Sequence, residues 1–430
     1  MQIAGQADNI QIKNILGHGH FMKKEIGFDE AQELTFSSIV ARKTETLGLD
    51  RLTDRVLAED VVSSVDSPSV NASLKDGYAV RSGDLQKAGP ESPVFLEMAG
   101  SISAGAATRL KVAAGRAIRI TTGAPIPQGA DAVLAEEFTR LAENRLACYN
   151  TAGPGRNILQ KGTDIQKGQA VAKKFDRATP PLVGLLATAG LDRATVFKSP
   201  VVCVMATGDE VVAPGKPLPE GKLYASNITE ICAWLTQHRI DSRVCFARDT
   251  EEAVVSTIRE QIDHVDLFIS SGGIWGSEKD LMLKVLESLD WKGIYHRVRM
   301  GPGKAIAFGF LEDKPFFCLP GGPPSNEMAF LQIALPGVLK MRGHQRPRFP
   351  VVSARLAETV RGVGHWTQFV HAEVRKEEKA LVVVPLQQRS RLQSMAGKNA
   401  LIRIPEGTEV LDAGTLIEVQ LLDTRVLREE

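Results

Sequence analysis

The sequence is short of cysteine. It has five in 430 residues, at Cys148, Cys203, Cys232, Cys245 and Cys318, and no two form a CxxC pair. An odd, dispersed set provides neither a disulfide framework nor the clustered ligands of a structural zinc site, and it fits a reducing compartment. Net charge is nearly absent too, at +1, which excludes a dominant nucleic-acid or polybasic membrane surface. No run reaches the roughly 18 apolar residues of a membrane span. The N-terminal MQIAGQADNIQIKNILGHGHFMKK lacks the apolar core of a signal peptide. A cytoplasmic protein is expected, with neither nucleic acid nor membrane as a partner. Heptads, solenoid repeats and low-complexity tracts are missing as well. Met22 followed by Lys23-Lys24 reads as a second possible start, with the first 21 residues an extension. His18 and His20 in its GHGH are metal-ligand types, but they read as part of a terminal tail.

What is present is ordinary globular material, 43% hydrophobic and 24% charged. A chain of this length holds about two to four domains. Residues 25–62 read as helical from the spacing of Phe28, Ala31, Leu34, Ile39, Leu47, Leu52 and Leu57. Residues 63–155 carry short β-like runs broken by Gly and Pro, and residues 156–197 are mixed, with a helix expected at PPLVGLLATAG. From 199 to 341 strands and helices alternate. PVVCVMAT, RVCFA, DLFISS, YHRVRM, AIAFGF and PFFCLP read as strands. Helices are expected to start at Asn227 with Glu230, at Asp249 with Glu252, at KDLMLKVLESL, and at Ser325. That order predicts a doubly wound, largely parallel α/β sheet. After Arg342, RFPVVSARLAE, QFVHAEVRK, ALVVVPL, ALIRIPEG and LIEVQLL predict a compact β-domain.

In such a sheet ligands bind beyond the carboxyl ends of the strands. Four Gly-rich loops fall there: Thr207-Gly208-Asp209-Glu210; Ser271-Gly272-Gly273-Ile274-Trp275-Gly276 with Asp280 following; Gly301-Pro302-Gly303-Lys304; and Pro320-Gly321-Gly322-Pro323-Pro324-Ser325. Glycine lets backbone N–H groups approach a ligand, and a helix starting at Ser325 points its dipole at an anion. Lys304 adds a point charge. Asp209, Glu210 and Asp280 are hard oxygen donors suited to Mg2+ bridging to phosphates. A phosphorylated ligand with a divalent cation is the expectation from these residues. Asp76-Gly77, Thr121–Asp131 and Asp164 in the β-rich part read as turns with no function assignable from composition.

Together these stretches resemble the molybdopterin molybdenumtransferase family, the MoeA and gephyrin E-domain group. The resemblance runs from about Ile26 to Leu422. It is carried by DGYAV at 76–80, TTGAPIPQGADAV at 121–133, GRNILQKGTDI at 155–165, ATGDEVVAPG at 206–215, YASN at 224–227, SSGG at 270–273 with Asp280, PGK at 302–304 and LPGGPPS at 319–325. It implies a multidomain α/β protein. The parts are an extension over 1–22, a helical linker domain from 23–62 and 163–197, and an inserted β-module over 63–162. A MogA-like doubly wound α/β domain follows over 198–343, then a C-terminal β-barrel over 344–430. It implies a homodimer with a cleft shared between subunits. It also implies a reaction in which molybdate enters adenylylated molybdopterin, with Mg2+-dependent pyrophosphate cleavage and AMP release. Asp76, Asp164, Glu210 and Asp280 match the family's active-site acids, Glu210 and Asp280 as the Mg2+ ligands. Thr122, Thr207, Gly208, Ser271, Gly272, Gly273, Arg297, Gly303, Lys304, Pro320, Gly321 and Ser325 match positions around the pterin, and Ser390 and Ser394 match a serine-bearing loop of the last domain. A molybdopterin adenylyltransferase and cofactor-accepting enzymes are the implied protein partners.

Four positions depart from the family pattern. Lys75 replaces a methionine, Trp275 stands in the glycine loop, Gly301 replaces a lysine, and Gly322 replaces an asparagine. The acids are retained while part of the binding shell differs. Two alternatives therefore stand beside molybdate insertion: a tungstate-specific insertase, and a cofactor-binding relative without turnover.

Overall fold

The computed structural model describes residues 22–41, 43–106, 109–274, 280–377, 380–386 and 390–427. The N-terminal extension with His18 and His20, and the Trp275-Gly276 pair, lie outside the described residues. The chain divides into two compact units, Glu45–Val196 and Met1–Thr44 with Phe197–Glu430.

The second unit contains the α/β sheet. Its strands lie in the order Ser242–Ala247, Val202–Thr207, Leu267–Ser271, Lys314–Leu319, Ala307–Leu311, Lys292–Gly301, with Lys23–Gly27 pairing the last. All run parallel except Ala307–Leu311, which is antiparallel to both neighbours. The strand Val202–Thr207 is buried throughout, as a continuous apolar run covered on both faces must be. Val202, Val204 and Ala206 join a core with helices Phe28–Ser38 and Ser226–Gln237. Cys203 and Met205 face the opposite core, under helices Glu251–Gln261 and Leu281–Ser288. The expected doubly wound sheet is therefore present.

Local signals were accurate to a few residues. Helix Glu251–Gln261 is capped by Thr250, whose Oγ1 accepts from the Ala253 N–H at 3.3 Å, rather than by Asp249. Helix Ser226–Gln237 begins with no side-chain cap, because its N-cap residue is Ala225; Asn227 lies inside the helix and bonds elsewhere. The helical reading of 25–62 is corrected. Only Phe28–Ser38 is α-helix, flanked by strands Lys23–Gly27 and Thr44–Gly48, with a further short strand at Val61–Val62. The chain turns extended at Ile39 (φ −95°, ψ 122°), where two β-branched residues follow one another. Leu47, Leu52 and Leu57 share a core with Ala178, Leu186 and Val196, so their spacing reflects a common destination and not one helical face.

The five C-terminal runs form the strands Val351–Leu356, Thr367–Glu377, Ala380–Pro385, Ala400–Ile404 and Leu416–Leu421. Each pairs with two others, and Thr367–Glu377 against Ala400–Ile404 closes the ring. Leu356, Val374, Val383, Ile402 and Val419 fill this barrel.

The unit Glu45–Val196 holds a six-stranded sheet in the order Ala132–Ala135, Gly77–Val80, Arg116–Ile120, Val94–Ile102, Arg145–Cys148, Thr139–Ala142. Helix Pro180–Thr188 forms where PPLVGLLATAG predicts it, capped by Thr179. Among the described residues no helix is long and apolar enough to cross a membrane.

Candidate active site

The strands ending at Thr207, Ser271, Leu319 and Gly301 finish on one edge of the sheet, so the four Gly-rich loops meet there. Ser271 stands opposite both Ala206 and Leu319. The Gly272 N–H donates to the Leu319 carbonyl at 3.1 Å. At φ 96°, a Cβ on Gly272 would lie 2.8 Å from the Thr207 carbonyl oxygen, so only glycine allows these two loops to touch. Thr207 Oγ1 donates to the Ser271 carbonyl at 3.4 Å.

Two asparagines bind this edge together. Asn227 Nδ2 donates to Ser271 Oγ at 3.1 Å and to the Gly321 carbonyl at 2.8 Å. Asn326 Nδ2 donates to the same hydroxyl at 3.0 Å and to the Pro320 carbonyl at 2.8 Å. Sequence reasoning took Asn227 for a helix cap and passed over Asn326. Asn326 directly follows the Pro320–Ser325 turn, but nothing local distinguishes an amide that bonds across the sheet from one that bonds its own turn.

The helix expected from Ser325 begins two residues earlier, as Pro323–Ala329. Proline is favoured at a first helical position because its missing N–H is an orphan there anyway. The same substitution removes anion donors. Of the first three helical residues only Ser325 carries an N–H, and the Asn326 N–H is used by the Gly322 carbonyl at 2.8 Å. The anion floor is narrower than a bare helix start would offer. Gly303, at φ 118°, brings the Gly301–Lys304 loop against this helix, where a Cβ would lie 3.3 Å from the Ala329 nitrogen. Gly322 is different. Its φ is −68° and no atom lies within 4 Å of a Cβ placed there. Gly322→Asn should fold normally and gain a few tenths of a kcal/mol, about the difference between Gly and Asn at an N-cap. Denaturant unfolding checks that. A parallel oxyanion titration reports whether the asparagine alters binding.

Glu210 folds back over Gly208, its carboxylate oxygens 2.6 Å from the place of a Gly208 Cβ. The neighbouring Asp209 accepts from the Asp249 N–H at 3.4 Å, and its carbonyl accepts from Lys222 at 2.8 Å. Asp280 sits at the N-cap position of helix Leu281–Ser288 without capping it. It acts electrostatically on His296, a buried imidazole whose Nε2 has no hydrogen-bond partner among the described residues. Burial holds His296 below its ordinary pKa, against the opposing pull of Asp280. Among the described residues no cluster of three or more His, Cys, Asp or Glu forms a metal cage. Two carboxylates suit Mg2+ when substrate phosphates complete its shell.

Arg297 and Lys304 converge on Glu25, at 3.5 Å and 3.9 Å from its Oε1. Lys304 also lies 4.7 Å over the Trp366 ring. Glu25 and Arg297 oppose each other between the pairs Lys24–His296 and Ile26–Val298, and both are left-handed, at φ 54° and 63°. Non-glycine residues in this region cost about 1–3 kcal/mol each and concentrate at functional sites. Ser390 caps helix Arg391–Gly397, its Oγ accepting from the Gln393 N–H at 3.2 Å, and Ser394 is buried within that helix.

In the Glu45–Val196 unit, Asp76 and Thr122 are brought together. Asp76 Oδ1 accepts from the Thr122 N–H at 2.6 Å and from its hydroxyl at 3.1 Å. The backbone bond from Thr122, then its hydroxyl bond, lowers the Asp76 pKa. Asp164 stands on a separate turn, its N–H bonded to the Ser67 carbonyl at 3.0 Å.

Three family models cover most of the chain: MoeA N-terminal region (domain I and II) over residues 26–190, Probable molybdopterin binding domain over 203–340, and MoeA C-terminal region (domain IV) over 353–422. A molybdopterin molybdenumtransferase of Bacillus subtilis is 31% identical over 388 residues, covering 88% of this chain and 90% of that protein. The chain belongs to the molybdopterin molybdenumtransferase family. A namesake from Staphylococcus epidermidis is 29% identical over 408 residues, 94% of this chain and 97% of that protein. The crystal structure of a molybdopterin biosynthesis moea protein from Pyrococcus horikosii superposes with a TM-score of 0.81 at 31% identity, covering 93% of this chain and 99% of its own. Membership upholds the expectation of a transferase in molybdenum cofactor biosynthesis.

Proposed function

We propose that the chain inserts molybdate into adenylylated molybdopterin, cleaving the pyrophosphate and releasing AMP. The observation that carries this is the single strand edge where Ser271, Pro320 and Gly321 are tied together by Asn227 and Asn326 and Thr207 bonds to Ser271, with Glu210, Asp280, Arg297 and Lys304 on the same α/β domain. The Gly208, Gly272, Gly273, Gly303 and Gly321 backbones and Pro320 would line the pterin phosphate, and Ser325 would donate its N–H. Arg297 and Lys304 would hold the molybdate oxyanion by charge. Glu210 and Asp280 would hold Mg2+, which when bound supplies positive charge to the pyrophosphate oxygens. Asp76, fixed as a carboxylate by Thr122, with Asp164 and the Ser390–Ser394 segment, would complete the site in a homodimer.

The test is AMP release from adenylylated molybdopterin with Mg2+ and either molybdate or tungstate. Release that depends on molybdate supports the proposal, and release with tungstate alone names a tungsten insertase. The two prolines that remove first-turn donors favour a second possibility, a cofactor-binding relative. Tight binding with no release under either oxyanion selects it. An adenylyltransferase upstream and a cofactor-accepting enzyme downstream are the partners this chemistry requires.

A further inference from the structure

Two residues beyond Ser325, on the same short helix, Glu327 points away from the strand edge into a buried cluster. Its side chain is 1% exposed. His371, from the barrel strand Thr367–Glu377, meets Glu327 Oε2 at 2.9 Å. Lys398, with 5% of its side chain exposed, pairs with Oε1 and also donates to the Met395 carbonyl at 2.7 Å. That carbonyl belongs to helix Arg391–Gly397, which carries Ser394. Glu230, on the helix that carries Asn227, closes the cluster by sharing a hydrogen bond with Glu327. Trp234 touches Glu230 from the same helix.

We propose that Glu327 is a positioning residue for the transfer reaction, clasping the serine-bearing helix Arg391–Gly397 to the helix that begins at the Pro320–Pro324 turn. This rests on the molybdenum-transfer function in treating Ser325, Ser390 and Ser394 as parts of one site. Four titratable groups from separate elements face one another here: Glu230, Glu327, His371 and Lys398. Two carboxyl groups that share a hydrogen bond hold one proton between them. Burial, then the bond to Glu327, pushes Glu230 up to about 8, so it is the proton carrier. Burial works against the Glu327 carboxylate, but bonds from His371 and Glu230 and the charge of Lys398 keep it below its ordinary value.

The folded protein keeps a proton on Glu230 that the unfolded chain gives up in the ordinary glutamate range. Stability from that proton therefore falls as pH rises from that range to about 8, and is lost above it. Above that pH two carboxylates face each other and the clasp loosens.

Hydrogen exchange of the full-length protein, on either side of pH 8 and corrected for intrinsic rates, tests this. In the wild type the amides of Arg391–Gly397 should exchange about tenfold faster above that pH, a loosening of the size expected for one hydrogen bond. Those of Gly77–Val80 should not change. Glu230→Gln should abolish the pH step. Glu327→Gln should raise exchange in Arg391–Gly397 at every pH and lower kcat for AMP release more than it raises KM. A pH-independent wild type, or a step retained in Glu230→Gln, overturns the clasp, even if Glu327→Gln fails to fold. An unchanged kcat in a folded Glu327→Gln overturns the positioning role. Absence of AMP release in the wild type at any pH removes the transfer function while leaving the exchange result to decide the clasp.

Discussion

Lys398→Met should cost the protein about 3–5 kcal/mol of stability, the usual consequence of removing one partner from a buried ion pair. The methionine fills most of the lysine's volume, so lost packing contributes little. What remains is the Glu327 carboxylate, 1% exposed, still meeting the His371 imidazole at 2.9 Å. The denaturant midpoint measures the loss. Converting Glu327 to leucine in the same chain should recover part of it, because the unpaired buried charge is removed while Glu230 and His371 lose their shared partner. A loss under about 1 kcal/mol would place the pair with solvated surface bridges and contradict its burial. Together the single and double variants separate a desolvated charge from a merely convenient contact.

Asp280→Ala should lower turnover by about 10²–10³-fold, the scale seen when one preorganised electrostatic group is removed from an active site. Stability should change by no more than about 1 kcal/mol, since the side chain does not cap its helix. Oxyanion-dependent AMP release measures the first effect and thermal unfolding the second. Full activity would take Asp280 out of the mechanism. A large loss of stability would mean the residue is structural, through its influence on the buried His296.

Strand ends were readable because Gly and Pro punctuate them. The loops at Thr207, Ser271, Gly301 and Pro320 all fall where apolar runs stop. The five barrel strands were readable by the same logic. Barrel closure was a matter of resemblance, because pairing Thr367–Glu377 with Ala400–Ile404 is decided by partners distant in sequence. The helix over 25–62 was misread because leucines gathered into one core imitate a helical stripe. A helix starting at Pro323 was within reach, since proline suits the first helical position. The Glu327 clasp was not. Its partners lie 44 and 71 residues onward, at His371 and Lys398, and no local pattern marks a glutamate as buried. The asparagine bridges onto Ser271 fail for the same reason: polar residues next to turns usually bond locally, and these two bond across the sheet.

Glu25 gives the site a resident counter-charge. It lies between Arg297 and Lys304 on a ladder held in a costly backbone conformation. On the proposed function, an oxyanion arriving there would not meet bare cations; it would exchange for a carboxylate already in place. Added salt weakens the outgoing interaction and the incoming one together. Oxyanion affinity in the wild type should therefore vary less with ionic strength than in Glu25→Gln, where the ligand binds to uncompensated charge. At the proposed oxyanion site, a fixed counter-ion of this kind would make selection depend on what a tetrahedral oxyanion has beyond its charge.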